Sequence, residues 1–142
     1  MEKEFVTYEL ALKLKQLGFD EPCLAYWDND KLFVIDRNSE RIQKNSNYKD
    51  IFEGIISAPL FSQAFRWFRE KYGLYSWIQL HNGYINDSFY SKLPITFSIM
   101  DRKTGNKYYE RDIQHNYLYK TNEEAELECL KKLIEIVEQK EK

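Results

Sequence analysis

Two arginines flank a tryptophan in the middle of the chain, and this group has the chemistry to bind an anion. Arg66, Trp67 and Arg69 fall in the segment S-A-P-L-F-S-Q-A-F-R-W-F-R-E-K-Y-G, which has the apolar spacing of a helix. A guanidinium group binds carboxylates and phosphates through paired hydrogen bonds, and it also stacks on aromatic rings. The segment therefore offers charge and stacking to an anionic or nucleotide ligand. The alternative is that Arg66 pairs with Glu70, one helical turn later.

A second aromatic group lies on the strand that follows this helix. Residues alternate in character over 74–81, so Tyr75 and Trp77 point to one side of the strand and the aliphatic residues to the other. If helices cover the aliphatic side, Tyr75 and Trp77 lie on an open face. A later strand extends this face with Thr96, Ser98 and Met100. The alternative is that both aromatic residues are core, because a one-residue error in facing exchanges the two sides.

These side chains form the expected binding group, together with a lysine from the polar segment 36–50: Arg66, Trp67, Arg69, Tyr75, Trp77 and Lys44. In the first hypothesis, the protein is a non-enzymatic binding module whose partner is a host protein or a second copy of itself. In the alternative, it sequesters a nucleotide. A pocket walled by aromatic rings, with basic groups converging on it, would favour the nucleotide, whereas a flat surface at those residues would contradict it.

The sequence gives little support for catalysis. Its histidines, His81 and His115, are expected at the surface or in turns rather than beside a nucleophile. The cysteines, Cys23 and Cys129, have no metal-binding spacing and are expected to be reduced and structural. A histidine-based hydrolase is therefore the weakest hypothesis, and we expect no catalytic residue.

No cofactor or metal site is expected either. The sequence has no H-x-x-x-H or C-x-x-C pair and no glycine-rich phosphate-binding motif. The acidic run Asp28-Asn29-Asp30 lacks the downstream glycine and glutamate of a calcium loop, so it is read as a turn between two strands.

Charge and hydropathy narrow the class of partner. The formal net charge of −2 and the pI near 5.8 argue against general nucleic-acid binding, which favours a basic surplus. The N-terminus has no apolar core of a signal peptide, and no segment is long enough to span a bilayer, so we expect a cytoplasmic protein without a membrane partner. Aromatic residues make up 16% of the chain, an excess that would suit a core, a ligand surface or an interface between copies.

Periodicity and turn signals predict an α+β fold in one domain, residues 1–142. The expected order is α-β-β-α-β-β-β-β-α: an antiparallel sheet, made of a β-hairpin and a four-strand meander, with three helices packed on one face. Ser57 is the expected N-cap of the central helix and Gly73 its stop, while Thr121 and Glu124 form a capping box for the last helix. Asn82-Gly83 predicts a hairpin turn into a strand over 84–90. Residues 36–50 read as a polar loop and 138–142 as a frayed tail.

Three phrases of the sequence resemble a group of small uncharacterised proteins of phages and mobile elements in gut-type bacteria. They are M-E-K-E-F-V-T-Y-E-x-A with L-G-F-D-E-P-C near the start, S-A-P-L-F-S-Q-A-F-R-W-F-R-E-K-Y-G-L in the middle, and Y-K-T-N-E-E-A-E-L-E-C-L-K-K-L-I-E near the end. The stretch 80–118 departs most from them. The resemblance brings no catalytic or binding residue with it. It implies an accessory factor that works by binding, for example by blocking a host protein or sequestering a signalling nucleotide.

Overall fold

Helices and strands alternate along the chain in an α+β arrangement. The structure is a computed structural model, and it describes residues 2–35, 45, 55–81, 93–109 and 118–141. After a short 3-10 helix at Glu2–Glu4, the elements are α1 Tyr8–Gln16, β1 Ala25–Asp28, β2 Lys31–Val34, β3 Ile55–Ser57, α2 Phe61–Tyr72, β4 Leu74–Leu80, β5 Ile95–Asp101, β6 Lys107–Tyr109 and α3 Asn122–Lys140. The chain divides into two compact units, Met1–Ala64 and Phe65–Lys142.

The first unit contains an antiparallel sheet in the order β2-β1-β3. Asp28 pairs with Lys31, so a two-residue turn joins β1 to β2, and Asn29 takes the left-handed conformation (φ 54°) that such a turn requires. β3 pairs with the other edge of β1 and contacts α1. Trp27 is buried, and its indole N–H donates to the carbonyl of Val6 at 2.9 Å, which ties β1 to the residues before α1.

Asn45 is the described residue of the polar segment 36–50, and it is buried. Its side-chain amide donates to the carbonyl of Phe19 at 2.8 Å, and its side-chain oxygen accepts from the N–H of Ser57 at 2.9 Å. This one side chain therefore satisfies a buried acceptor beyond α1 and a buried donor in β3. The rest of 36–50 lies outside the described residues.

The second unit contains an antiparallel sheet in the order β4-β5-β6, with α3 packed against β4 and β5. β4 and β5 pair over their full length, from Leu74 with Asp101 to Leu80 with Ile95. The buried residues of α3 recur about one helical turn apart and form its inner face: Ala125, Cys129, Leu130, Leu133, Ile134, Ile136 and Val137. The opposite face of this sheet carries the candidate site.

The α+β class, the hairpin and the three helices agree with the sequence-based expectation, but the sheet arrangement differs from it. The described strands form two three-stranded sheets, because the hairpin pairs with β3, a strand that the sequence analysis did not predict. β4 pairs directly with β5. The expected meander placed a strand at 84–90 between these two strands, and that part of the predicted strand order is wrong. Residues 84–90 themselves lie outside the described chain.

Two helix starts were predicted from capping residues, and the structure agrees with only one of them. Ser57 does not cap α2 as expected, because its backbone belongs to β3 and α2 begins at Phe61. Thr121 does cap α3, accepting from the N–H of Glu124 at 3.1 Å. The carboxylate of Glu124 reaches back to the N–H of Lys120 rather than to that of Thr121. At its other end, α3 continues to Lys140, beyond residue 138 where fraying was expected.

Candidate functional site

An open, mostly apolar depression of about 570 Å³ lies on the face of β4 and β5 that points away from α3. Its described lining is Tyr75, Trp77, Met100, Asp101, Arg102 and Gly105. Strand register explains the grouping, since Tyr75 pairs with Met100 and both stand on the same face as Trp77. Tyr75 and Trp77 are exposed, at 36% and 42%, so the expectation that they lie on an open face is confirmed.

Arginines lie on two sides of the Tyr75 ring. The guanidinium carbon of Arg69, on α2, lies 5.9 Å from the ring centroid, a cation–π distance. Arg102, in the turn after β5, donates from Nη1 to the Tyr75 hydroxyl at 3.2 Å. Both arginines are exposed. We call Arg69, Tyr75, Trp77, Met100 and Arg102 the aromatic–arginine surface.

The polar atoms of the two exposed rings already have partners within the protein. The Tyr75 hydroxyl accepts from Arg102, and the Trp77 indole N–H donates to Oε1 of Gln79 at 2.9 Å. These contacts hold the rings by their edges. What the rings present outward is therefore apolar area and π faces, next to the Met100 thioether, which packs well against varied shapes.

The turn from Asp101 to Asn106 shapes one wall of the depression. Asp101 is 3% exposed, and its Oδ1 accepts from the N–H of Lys103 at 2.8 Å. Its backbone N–H donates to the carbonyl of Asn106, and its carbonyl accepts from Gly105, both at 2.8 Å. Gly105 has φ +74°, a left-handed conformation that closes the turn. Asp101 thus fixes the backbone that carries Arg102 and Gly105.

The C-terminal end of α3 neutralises this buried carboxylate. Lys140 Nζ lies 3.1 Å from Asp101 Oδ2 and 5.2 Å from the ring centroid of Tyr108. The Lys103 N–H, together with Lys140, holds the pKa of Asp101 below its usual range against the opposing effect of burial. Hydrogen bonds with Tyr108 and Asp101 raise the pKa of Lys140. The carboxylate of Asp101, which belongs to the lining, is therefore paired with the ammonium group of Lys140 on α3.

The predicted site residues separate into three groups. Tyr75 and Trp77 line the depression, and Arg69 lies beside it, over the Tyr75 ring. Trp67 is 6% exposed and packs edge-on against Phe68 at 5.0 Å, so its ring faces the protein interior rather than a ligand. Arg66 is exposed on α2 but is not among the residues lining the depression. Lys44 lies outside the described residues.

Arg102, Asp101 and Gly105 were missed by the sequence analysis. Their position beside Tyr75 depends on the direct pairing of β4 with β5, which also lets the N–H of Arg102 donate to the carbonyl of Gly73 at 2.9 Å. Placing a strand between β4 and β5 moved these residues away from the aromatic rings. Of the later-strand residues expected on the open face, Met100 lines the depression, whereas Thr96 and Ser98 are buried.

The cysteines and the described histidine are not among the residues that line the depression. Burial raises the pKa of the Cys23 and Cys129 thiols to about 12, so both stay protonated at neutral pH. His81 is 3% exposed, which corrects the expectation of a surface histidine. His81 follows β4 directly, and its backbone N–H donates to the backbone carbonyl of Pro94. His115 lies outside the described residues.

The described part of the chain contains neither a candidate metal centre nor a candidate membrane-spanning helix. Its His, Cys, Asp and Glu side chains form no group of three suited to hold a metal ion. None of its helices combines the length and the apolar character needed to cross a bilayer. No family model, curated protein or solved structure matches the chain.

Proposed function

We propose that the protein is a non-enzymatic binding protein and that it holds a protein partner at the aromatic–arginine surface. The observation that carries the proposal is the exposure of Tyr75 and Trp77 in an open depression that Met100 and Arg102 also line, with Arg69 over the Tyr75 ring. Tyrosine, tryptophan, methionine and arginine are enriched at protein interfaces, and the first two, with arginine, dominate binding hot spots. The combination is unusual for a surface that has only to face water.

The shape of the depression supports a partner larger than a single nucleotide. Small-molecule sites bury most of the surface of their ligand in an enclosed cleft. This depression is open, and its rings lie side by side on one strand rather than facing each other. A chain segment that extends beyond the depression uses such a surface better than a compact ligand does.

Nucleotide sequestration remains the second candidate because Arg69 and Arg102 stand beside an exposed ring. Its test is thermal unfolding with a panel of mono- and cyclic nucleotides, with the solution mass measured alongside. A ligand at a hundred times its Kd should stabilise the fold by about 2.7 kcal/mol. A shift with one nucleotide, lost in Trp77→Ala, would replace the protein-partner proposal. A concentration-dependent dimer mass would identify the partner as a second copy.

The proposal itself is tested by selecting binders from a library of short random peptides displayed on a carrier. Peptides that bind the protein but not its Trp77→Ala variant are expected, because hot-spot tryptophans typically contribute about 2 kcal/mol or more. Phe33→Ala is the matched control, since Phe33 is also 42% exposed but lies in the first unit. If every selected peptide binds Trp77→Ala as well as it binds the unmodified protein, the proposed surface is wrong.

The resemblance to phage and mobile-element proteins adds a biological setting to this proposal. An accessory protein of that kind would act on a host protein through the same surface.

A further inference from the structure

We infer that the aromatic–arginine surface binds an extended acidic peptide segment that carries an aromatic or aliphatic anchor residue. This inference rests on the proposed function and names the chemistry of its partner. The anchor would lie against Tyr75, Trp77 and Met100, and neighbouring carboxylates would meet the arginines. Two features of the surface support this inference. They are the cations around the depression and the hydrogen bonds that the polar atoms of its rings already make within the protein.

Among the described residues, several exposed cations lie around the depression, although the chain as a whole is not basic. Arg69 and Arg102 stand beside Tyr75, Lys103 follows in the same turn, and Lys107 pairs with Met100 across β5 and β6. All four cations are exposed. Among the described lining residues the one acid is Asp101, which is buried and held by Lys140. A chain with a net charge of −2 has thus gathered cations around its exposed rings.

The polar atoms of the rings favour an apolar anchor. The Tyr75 hydroxyl accepts from Arg102 and keeps its own O–H to donate. Gln79 already accepts from the Trp77 indole N–H, so a ligand gains little by hydrogen bonding to that ring. It gains by covering the faces of both rings and the Met100 side chain with apolar atoms. Arg102 keeps further N–H groups beyond the one that Tyr75 uses, because a guanidinium has five. These remain to bind a carboxylate.

A peptide fits this surface better than a nucleic-acid strand does. Nucleic-acid binding draws on many phosphate contacts along a basic track, and each contact adds to the salt dependence of binding. Here the cations form one cluster around a single depression. The acids of the hairpin turn, Asp28 and Asp30, and those at the start of α3 lie on other elements.

The same peptide selection tests this inference when the composition of the Trp77-dependent peptides is examined. We expect them to combine Asp or Glu with Phe, Trp, Leu or Ile. Synthetic peptides with a fluorescent label then give Kd values at low and high salt. Arg102→Gln should weaken binding about three- to fivefold at low salt, in the range of an exposed ion pair, and less at high salt.

Two control variants separate charge from structure. Tyr75→Phe removes the same Tyr75–Arg102 hydrogen bond but leaves the guanidinium, so it should bind nearly as well as the unmodified protein. Lys13→Gln removes an exposed cation from α1 in the first unit and should change nothing. If Tyr75→Phe weakens binding as much as Arg102→Gln, the arginine acts by holding the ring, and the charge argument is wrong.

The outcomes distinguish this inference from the proposed function. Trp77-dependent peptides that lack acids, or whose Kd does not respond to salt, would overturn the acidic segment and leave the protein-binding surface standing. An absence of Trp77-dependent peptides would overturn both. Labelled oligothymidylate is the comparison ligand, and tighter, Trp77-dependent binding to it than to every selected peptide would replace the peptide with single-stranded nucleic acid.

Discussion

A single side chain, Asn45, joins two parts of the first unit that are far apart in sequence. It is 5% exposed and makes buried hydrogen bonds to the carbonyl of Phe19 and the N–H of Ser57. We expect Asn45→Ala to lower the free energy of unfolding by about 1–3 kcal/mol, because it leaves both backbone groups without a partner. Urea denaturation measures this. Gln16→Ala, an exposed amide in α1, is the control and should stay within about 0.5 kcal/mol. Equal effects from the two variants would contradict the bridging role.

Gly105 is a second position where one residue determines local structure. Its φ of +74° is unfavourable for a residue with a Cβ, yet the space around an added Cβ is open. Gly105→Ala should therefore destabilise by about 1–2 kcal/mol through the backbone alone. Gly105→Asn should lose less, because asparagine tolerates the left-handed conformation better. Thermal unfolding of the two variants gives the order, and an Asn variant less stable than the Ala variant would indicate a side-chain clash instead.

At the level of elements, the pairing of Asp101 with Lys140 links the turn after β5 to the end of α3. Because the pKa of Asp101 is lowered in the folded state, its contribution to stability is present above the unfolded pKa, near 3.9, and is lost as pH falls through the lower folded value. Asp101→Asn should therefore be less stable than the unmodified protein at pH 7, by about 1–2 kcal/mol. The difference should shrink in strong acid.

Lys140 determines the alkaline side of the dependence of stability on pH. Its pKa is raised, so its contribution is present below the unfolded value and is lost as pH rises through the higher folded value. Urea denaturation of the unmodified protein and of Lys140→Met, from acid to alkaline pH, checks both sides of this dependence. A Lys140→Met difference that stays constant across the whole range would mean that the lysine stabilises by packing and not by charge.

Elements fixed by neighbours in sequence were predictable, and elements fixed by distant partners were not. Thr121 with Glu124, and Gly73 after its helix, are signals contained within a few residues, and the structure confirms the cap and the left-handed glycine. The facing of Tyr75 and Trp77 follows from alternation along one strand. Strand pairing, in contrast, joins residues far apart in sequence, and no periodicity within 95–101 indicates that it pairs with β4.

The same distinction explains how much of the candidate site was predicted. Tyr75, Trp77 and Arg69 lie on adjoining elements, so local patterns were enough to group them. Arg102 reaches Tyr75 only through the β4–β5 pairing, and its hydrogen bond was therefore out of reach. Trp67 was misread because its amphipathic helix presents arginine on either side of a residue that is buried.

For the molecule as a whole, the boundary between the two compact units falls inside α2, after Ala64. Hydrogen bonds of a helix join residues four apart, so those of α2 cross this boundary. We therefore expect one cooperative unfolding transition. Native-state hydrogen exchange measures it, since the slowest amides of α1 and α3 should give the same free energy of opening. Two distinct values would show that the units unfold separately.

The unequal burial of the three tryptophans makes the protein its own optical reporter. Trp27 and Trp67 are each 6% exposed, whereas Trp77 is 42% exposed and lines the same depression as Arg102. Iodide, an anion, should therefore quench the red-shifted part of the emission more strongly than neutral acrylamide does. A partner that covers Trp77 should shift the emission to the blue and remove the iodide preference, so occupancy of the surface can be followed without attaching a label.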